Sequence, residues 1–188
     1  MHFWGHLKTV THHRFLVMQG CFRVGLYYQG LTHDLSKFSP TEFREGIKYY
    51  QGTRSPNARE REEKGYSLAW MHHKGRNRHH YEYWTDLSTV TFRYEPVQMP
   101  RRYLVEMVMD RRAACMTYQG KNYTDASPYI YFARSRERLM MHPETERQLA
   151  YLLEMLRDRG ERETFRYIKS FVLQNKPFPW EMNVTEGV

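Results

Sequence analysis

The sequence predicts an all-α protein, organised as a single-domain helical bundle. Apolar residues recur at helical spacing along most of the chain, and no segment alternates apolar and polar residues over the length of a strand. The 188 residues suffice for one domain with a core but are few for two. We expect the helical domain to span residues 1–175 and a C-terminal tail to span 176–188.

The first predicted helix carries an apolar stripe that starts at residue 13. We expect Gly30 to end this helix, because glycine is favoured just past a helix C-terminus. The residues of the stripe are His13, Leu16, Val17, Cys21, Val24 and Tyr28.

The second predicted helix has a start signal at its N-terminus and continues through residue 50. Ser39 is the expected N-cap, Pro40 suits the first helical position, and Glu42 would complete a capping box. The next segment, 51–58, is rich in Gly, Ser, Pro and Asn and is predicted to be a loop.

The rest of the chain up to residue 174 is also predicted to be mainly helical. Proline after a capping residue marks two of the helix starts. The predicted segments are a helix at 58–73, a short turn or helix at 79–84, a buried helix at 101–118, helices starting at Ser127 and at His142, a last helix at 161–174, and an extended segment at 175–188.

The composition is typical of a folded protein that binds an anion. The chain is 40% hydrophobic and 15% aromatic, and Cys21 and Cys115 lie in apolar helical patterns typical of buried free thiols. It has no apolar run of membrane-spanning length and no signal-peptide core, so we expect a cytoplasmic protein without a membrane partner. The net charge of +8 favours a phosphorylated ligand or nucleic acid, although the basic residues are scattered.

The placement of histidine is the strongest indication of chemistry. Nine of the 10 histidines lie in the first 80 residues, and four of these lie in the segment 72-HHKGRNRHH-80. Imidazole binds Zn, Fe, Ni and Cu ions, and a neighbouring carboxylate, as in the dipeptide His33-Asp34, adds a ligand that can bridge two ions. A single histidine is more often a capping or stacking residue, but the whole set predicts a metal site.

Helix faces select two of the candidate ligands. His13 continues the apolar stripe and should project into the bundle, whereas His12 lies on another face and is the alternative. Asp110 lies among apolar residues of the predicted helix at 101–118, where an unpaired carboxylate would be costly to bury. A metal ion, or one of the two arginines that follow Asp110, would offset that cost.

The order of these residues resembles the HD-domain superfamily of metal-dependent phosphohydrolases. The resemblance rests on His13, on His33-Asp34 with Lys37 in an HD-x-x-K pattern, on the distal histidines, and on a helix containing 108-VMDRRAA-114. The segments LTHDLSKFSPTEF and AWMHHKGRNRHHYEYW also resemble an uncharacterised bacterial and phage family near that superfamily, over about residues 5–175. The resemblance implies an HD-domain-like helical bundle.

The resemblance also implies a ligand set for one or two divalent transition-metal ions, which could be Mn, Fe, Co, Ni or Zn. The histidines of the segment 72–80 are closer together in sequence than is usual in the superfamily's dinuclear members. Which histidine of each adjacent pair is the ligand therefore stays open. The first ion would be held by His13, His33, Asp34 and Asp110, and Asp34 would bridge to a second ion held by His73 and His80, or by their neighbours His72 and His79.

The implied reaction is hydrolysis of a phosphate mono- or diester, with nucleotides among the candidate substrates. A divalent ion activates a bound water and polarises a phosphoryl oxygen, and Asp34 would hold the attacking water in line with the leaving oxygen. Lys37, one turn after His33, is the second candidate catalytic residue and the main candidate for binding phosphate. The remaining candidate substrate-binding residues, each of which could instead be a solvated surface cation, are Lys74, Arg76 and Arg78.

Two other functions fit the same residues. A di-iron HD-type oxygenase uses, by resemblance, a similar ligand set, but the basic charge favours phosphate substrates over it. A non-catalytic nucleic-acid-binding module with structural histidines would bind with an affinity that falls steeply with salt. The sequence contains no recognisable DNA-binding motif, so we expect the partner to be a small phosphorylated molecule.

Overall fold

The structure is a computed structural model that describes residues 2–182. In that part of the chain it confirms an all-α, single-domain bundle, with nine α-helices and one two-stranded antiparallel sheet. The helices are α1 Phe3–Val24, α2 Tyr27–Thr32, α3 Pro40–Lys48, α4 Pro56–Lys64, α5 Leu68–Lys74, α6 Arg101–Gln119, α7 Ser127–Ala133, α8 Pro143–Tyr167 and α9 Pro179–Met182, and the strands are β1 Thr85–Leu87 and β2 Tyr94–Pro96.

Helix α1 starts earlier and ends earlier than the apolar stripe indicated. It begins at Phe3 and is capped by Gly25, whose φ of 91° is in the left-handed region and whose N–H donates to the Phe22 carbonyl at 3.1 Å. The prediction that Gly30 ends the helix was wrong. Gly30 lies inside α2, where an added Cβ would be 3.0 Å from the Phe22 ring, so glycine permits close packing of α2 on α1.

The start of α3 was predicted correctly, but the capping box was not. Ser39 Oγ accepts a hydrogen bond from the Glu42 N–H at 3.4 Å, and Pro40 takes the first helical position. The Glu42 side chain does not return to the Ser39 N–H. It accepts hydrogen bonds from His72 and His73 instead, so the helix start contributes a buried carboxylate to the neighbouring helix.

The predicted helix at 58–73 consists of two helices, α4 and α5. Gly65 ends α4 with a φ of 82°, which is in the left-handed region. Ser67 then caps α5 by accepting from the Trp70 N–H at 3.0 Å, while its hydroxyl donates to Glu60 at 2.6 Å. Ser67 therefore connects the two helices, because its hydroxyl accepts a hydrogen bond from α5 and donates one to α4.

A short β-hairpin follows the histidine-rich segment and was not predicted. Strands β1 and β2 pair antiparallel, with Asp86 opposite Glu95. Each strand has three residues, which is too short for an alternating pattern to stand out in the sequence.

The core lies between α1, α6 and α8. Its centre contains side chains that are fully buried on each of these helices, among them Val17 on α1, Val108 on α6 and Leu152 on α8. Burial of these apolar surfaces holds α1 against α6 and so brings together the polar residues at the same level of the two helices. Cys21 and Cys115 are buried free thiols, as predicted.

The sequence predicted separate helices starting at His142 and at residue 161, and the structure has one helix, α8, with a break between these two parts. It begins at Pro143, after His142 as N-cap, and Gly160 interrupts it with φ 73° and ψ 174°. The chain then continues to a π-helical turn at Ile168–Val172. The break at Gly160 separates two helical segments, as expected from the predicted start at residue 161.

The segment 175–188 was predicted to be extended, but its described part is not. Phe178 is 1% exposed and stacks on Trp180, with ring centroids 4.9 Å apart, and helix α9 starts at Pro179. Burial of two aromatic rings fastens this segment to the core. Residues 183–188, the remainder of the predicted tail, lie outside the described residues. Among the described helices, none is both long and apolar enough to span a membrane.

Candidate metal centre

Three elements bring four of the predicted ligands together. His13 comes from α1, the pair His33-Asp34 from the turn after α2, and Asp110 from α6. His13 Nε2 lies 3.0 Å from Asp110 Oδ1, and His33 Nε2 lies 3.4 Å from Asp34 Oδ2 and 3.6 Å from Asp110 Oδ1. These four side chains could hold a metal ion, which is the first ligand set that the resemblance implied.

The turn at Asp34 explains how two adjacent residues face one site. Asp34 has a φ of 54°, in the left-handed region that few residues other than glycine adopt, although aspartate tolerates it best together with asparagine. The backbone reverses direction there, and both His33 and Asp34 are 1% exposed. Such a conformation costs on the order of 1 kcal/mol, and the contacts of the buried carboxylate are what hold it in place.

A second group of side chains meets the other oxygen of Asp34. Asp34 Oδ1 lies 3.2 Å from His73 Nε2 and 3.4 Å from His79 Nε2, and His80 also belongs to the group. Helix α5 provides His73, and the turn that follows it provides His79 and His80. This group could also hold a metal ion, and Asp34 is common to both groups.

In two of the three adjacent histidine pairs, the structure brings one member to the centre and leaves the other outside it. His13 is buried while His12 is exposed, so the preference for His13 agrees with the structure. His73 is in the second group, and His72 lies outside it, hydrogen-bonded to Glu42. The remaining pair does not separate, because His79 and His80 both enter the group.

Unpartnered buried atoms test whether these residues suit a metal ion. Buried polar atoms nearly always have a hydrogen-bond partner, because an unpaired one costs free energy. Six imidazole and carboxylate atoms that make no well-formed hydrogen bond converge here, and these are the ligand types that transition-metal ions prefer. The atoms are Nε2 of His13, His33, His79 and His80, and both carboxylate oxygens of Asp34. Two of the six have a charged or ionisable neighbour within 3.0 Å, since Asp34 Oδ2 lies 2.6 Å from Lys37 Nζ and His13 Nε2 lies 3.0 Å from Asp110 Oδ1. The residues present therefore fit a divalent transition-metal ion.

Two buried glutamates that the sequence interpretation missed orient the histidines. Glu106 Oε1 lies 2.9 Å from His33 Nδ1 and 3.1 Å from His79 Nδ1. Glu42 accepts from His73 Nδ1 at 2.7 Å. An ionised carboxylate can only accept, so each Nδ1 carries a proton, and each imidazole in its neutral form presents the Nε2 lone pair towards Asp34. Glu106 could have been found from the sequence, because it lies one turn before Asp110 on the same face of the same predicted helix.

The carboxylates of the centre are ionised, as metal binding requires, whereas its histidines differ in protonation. Burial raises the pKa of Asp34, but His33 and Lys37 outweigh it and hold the pKa well below its usual range. Burial likewise raises the pKa of Asp110, but the adjacent imidazoles of His13 and His33 outweigh it and hold that pKa well below its usual range. Burial lowers the pKa of His80 well below its ordinary value, and the neighbouring His79 adds to the effect. Burial lowers the pKa of His33 and of His73 as well, but the Asp34 carboxylate outweighs it and raises both pKa values. A metal ion binding there would displace a proton from these two imidazoles, whereas the lowered pKa of His80 already favours its neutral form.

Lys37 stands at the solvent side of the centre. Its Nζ lies 2.6 Å from Asp34 Oδ2, and its side chain is 29% exposed. Burial lowers the pKa of Lys37, but the Asp34 carboxylate outweighs this and raises it above its usual range. Within the set formed by His13, His33, Asp34 and Asp110, Asp110 has the most exposed side chain, at 18%, so this set opens to solvent near Asp110 and Lys37.

The other predicted substrate-binding cations are not brought to the centre. Arg76 and Arg78 are exposed, and Arg78 donates to the Tyr103 hydroxyl at 3.1 Å. Lys74 is half-buried at the end of α5. Arg76 donates to the backbone carbonyl of His72 at 3.4 Å, but within residues 2–182 no described contact joins the side-chain cation of Lys74, Arg76 or Arg78 to the imidazole or carboxylate of a ligand candidate. The turn after α5 directs the histidine rings inward and the cations outward.

Comparisons with known proteins give one family match. The model of a family of unknown function (DUF5662) matches residues 2–158. No curated protein and no solved structure matches the chain.

Proposed function

The chain belongs to DUF5662, a family of unknown function, and from its metal centre we propose that it is a metal-dependent phosphohydrolase acting on a phosphate mono- or diester. The resemblance of His13, His33-Asp34, Lys37 and Asp110 to the HD-domain superfamily supports this reaction class. The net charge of +8 favours an anionic substrate.

Two sets of residues would hold the metal ions. His13, His33, Asp34 and Asp110 form the first set. A divalent transition-metal ion held there supplies Lewis-acid polarisation of a phosphoryl oxygen and a water of lowered pKa. The second set consists of Asp34, His73, His79 and His80.

The position of Lys37 is the observation that carries the proposal. Its ammonium group lies 2.6 Å from Asp34 Oδ2 and is partly exposed, so a ligand entering from solvent meets this cation at the edge of the centre. A phosphoryl group has several anionic oxygens, and a fixed cation stabilises the charge that they carry in the transition state. Lys37 would therefore bind the phosphate and offset its charge.

Asp34 and Asp110 would act as ionised acceptors. Their lowered pKa values keep both carboxylates charged, so Asp34 can accept a hydrogen bond from the attacking water and direct that water at phosphorus. Because His33 and Asp34 are each only 1% exposed, bulk water has little access to the centre from the protein side.

The test is metal analysis followed by a hydrolysis assay on the full chain and its Asp34→Asn variant. Asparagine tolerates the left-handed φ of 54°, so this variant keeps the turn and loses the shared carboxylate. We expect the wild type to bind one or two equivalents of Mn, Fe, Co, Ni or Zn by plasma mass spectrometry. It should also hydrolyse p-nitrophenyl phosphate or bis-p-nitrophenyl phosphate, and the variant should do neither.

The same experiment separates the other candidate functions. Metal-loaded wild type that hydrolyses neither phosphate ester, nor a panel of nucleotides, would contradict the proposal. Two equivalents of iron with oxygen-dependent turnover would support the oxygenase instead. Absence of metal even after incubation with Mn and Fe would leave the histidines structural and favour the binding module, whose affinity for nucleic acid should fall with salt.

A further inference from the structure

One carboxylate lies behind both histidine sets. Glu106 Oε1 is 2.9 Å from His33 Nδ1, in the first set, and 3.1 Å from His79 Nδ1, in the second set. The two imidazole rings lie side by side, with centroids 4.3 Å apart. Glu106 comes from α6, and it is 6% exposed. A single buried oxygen therefore lies within hydrogen-bond distance of one histidine of each set.

The inner sides of the same two rings meet a second carboxylate. His33 Nε2 lies 3.4 Å from Asp34 Oδ2, and His79 Nε2 lies 3.4 Å from Asp34 Oδ1. Each ring thus contacts Glu106 at Nδ1 and faces Asp34 with Nε2, without a well-formed hydrogen bond on that side. A change at Glu106 would release both rings at once, because no other hydrogen bond to either Nδ1 is described in residues 2–182.

Glu42 provides the comparison, because it serves one set alone. It accepts from His73 Nδ1 at 2.7 Å, in the second set, and from His72 Nδ1 at 2.6 Å, which belongs to neither set. Its side chain has no described contact with the first set. Carboxylates in such positions fix the tautomer and orientation of a ligand histidine, and removing them typically costs about 10- to 100-fold in metal affinity.

We propose that Glu106 is a positioning residue that couples the two metal sites, while Glu42 positions a ligand of the second site alone. This inference rests on the metal centre of the proposed function and adds to it how the two sites depend on one residue. Glu106 would act through His33 and His79 and would not contact the ion or the substrate.

The experiment is a Co²⁺ titration of the metal-stripped full chain, followed by visible absorbance and by metal analysis after dialysis. The variants are Glu106→Ala, Glu106→Gln and Glu42→Ala. We expect two equivalents in the wild type. Glu42→Ala should keep one equivalent at wild-type affinity and bind the other about 10- to 100-fold more weakly. Glu106→Ala should weaken both equivalents by about that factor, so that neither keeps its wild-type affinity.

Glu106→Gln guards against a folding defect. Its amide oxygen can still accept from both Nδ1–H groups but lacks the charge, so we expect it to weaken both equivalents less than alanine does. Far-ultraviolet circular dichroism and thermal unfolding show which variants are folded, and the glutamine variant tests the proposal if the alanine variant is not.

Three results would overturn the inference. In the first, Glu106→Ala keeps one equivalent at wild-type affinity, as it would if Glu106, His33 and His79 were themselves a separate metal site. In the second, the Glu42 and Glu106 variants lose both equivalents alike. In the third, the wild type binds a single ion. The titration uses no phosphate, so two coupled ions without phosphate hydrolysis would support this inference while contradicting the proposed reaction.

Discussion

At the scale of single residues, Asp34 and Lys37 concentrate the chemistry of the centre. Asp34 offers one oxygen to each histidine set and adopts a left-handed backbone that brings its side chain inward beside that of His33. Lys37, one 3₁₀ turn later, pairs with the same carboxylate from the solvent side. The HD-x-x-K spacing therefore places the His33 imidazole and the Lys37 ammonium group around the Asp34 carboxylate. Local sequence can encode this arrangement, because the three residues lie within a span of five.

Replacing Lys37 separates substrate binding from metal binding. We expect Lys37→Ala to keep the metal content of the wild type, because the imidazole and carboxylate ligands remain. Its turnover of phosphate esters should fall by about 100-fold or more, the usual loss when one group that stabilises transition-state charge is removed. Plasma mass spectrometry and steady-state kinetics measure the two effects.

The matched control is Lys8→Ala, which removes an exposed cation from α1. It should change neither metal content nor turnover. Loss of metal from the Lys37 variant, with Lys8→Ala unaffected, would mean that Lys37 serves to hold Asp34 in place rather than to bind phosphate.

At the scale of elements, glycine decides where helices end and where they bend. Gly25 and Gly65 each end a helix in the left-handed region. Gly160 interrupts α8 with φ 73° and ψ 174°, a conformation essentially restricted to glycine. The bend lets the second half of α8 bring Glu161 to α1 and α6.

Gly160→Ala should destabilise the protein by about 1–3 kcal/mol, because a Cβ strains this backbone conformation. The added Cβ would also lie 3.3 Å from Asp125 Oδ2, a tight contact. Chemical denaturation followed by circular dichroism measures the free energy of unfolding. An unfolding free energy equal to that of the wild type would show that α8 can straighten without cost.

Gly75→Ala is the control for that measurement. Gly75 has a φ of −76°, in the right-handed region, and its added Cβ would come no closer than 3.4 Å to the Met71 carbonyl oxygen. We therefore expect this substitution to leave the free energy of unfolding unchanged or slightly raised.

At the scale of the whole molecule, Glu161 connects three helices through ion pairs. From α8 it contacts Arg23 of α1 at 2.5 Å and also Arg112 of α6. Arg112 is 7% exposed, so its charge depends on this partner. The network lies across the same α1–α6 contact that brings His13 to Asp110, and it therefore supports the helix packing on which the candidate metal centre depends.

Glu161→Gln should lower the free energy of unfolding by about 2 kcal/mol at neutral pH, because the buried Arg112 loses the negative charge that its hydrogen bonds to Glu161 depend on. Burial raises the pKa of Glu161, but Arg23 and Arg112 outweigh it and hold the pKa below its ordinary value. A carboxylate with a lowered folded-state pKa stabilises the protein fully above its unfolded-state pKa. That contribution disappears as the pH falls through the folded-state value.

Denaturation at several pH values tests this prediction. The gap between the wild type and Glu161→Gln should be largest above about pH 5 and should narrow below about pH 4. A gap that stays constant on acidification would contradict the ion-pair explanation. The control is Glu62→Gln, which breaks the exposed pair with Arg54, where the side chains are 46% and 42% exposed, and should change stability little.

What the sequence by itself determined was local. The apolar period of α1 selected His13 over His12, the Ser39 and Pro40 signal located the start of α3, and α6 was predicted to within one residue of its observed end. Each of these depends on residues within a few turns of one another, where periodicity and capping act directly. His33, Asp34 and Lys37 likewise lie close together in the sequence, so their local arrangement could be predicted in the same way.

What only the tertiary structure decided was which distant groups meet. The role of Glu106 depends on a hydrogen bond to His33 across 73 residues of sequence, and that of Glu42 on a bond to His73 across 31 residues. Glu42 satisfied a capping pattern in the sequence, yet the packing of α3 on α5 gave its carboxylate a buried imidazole instead. Both histidines of the last pair enter the centre because the turn after α5 folds over Asp34. A local pattern cannot specify such partners, because burial and hydrogen bonding are settled only when the helices pack.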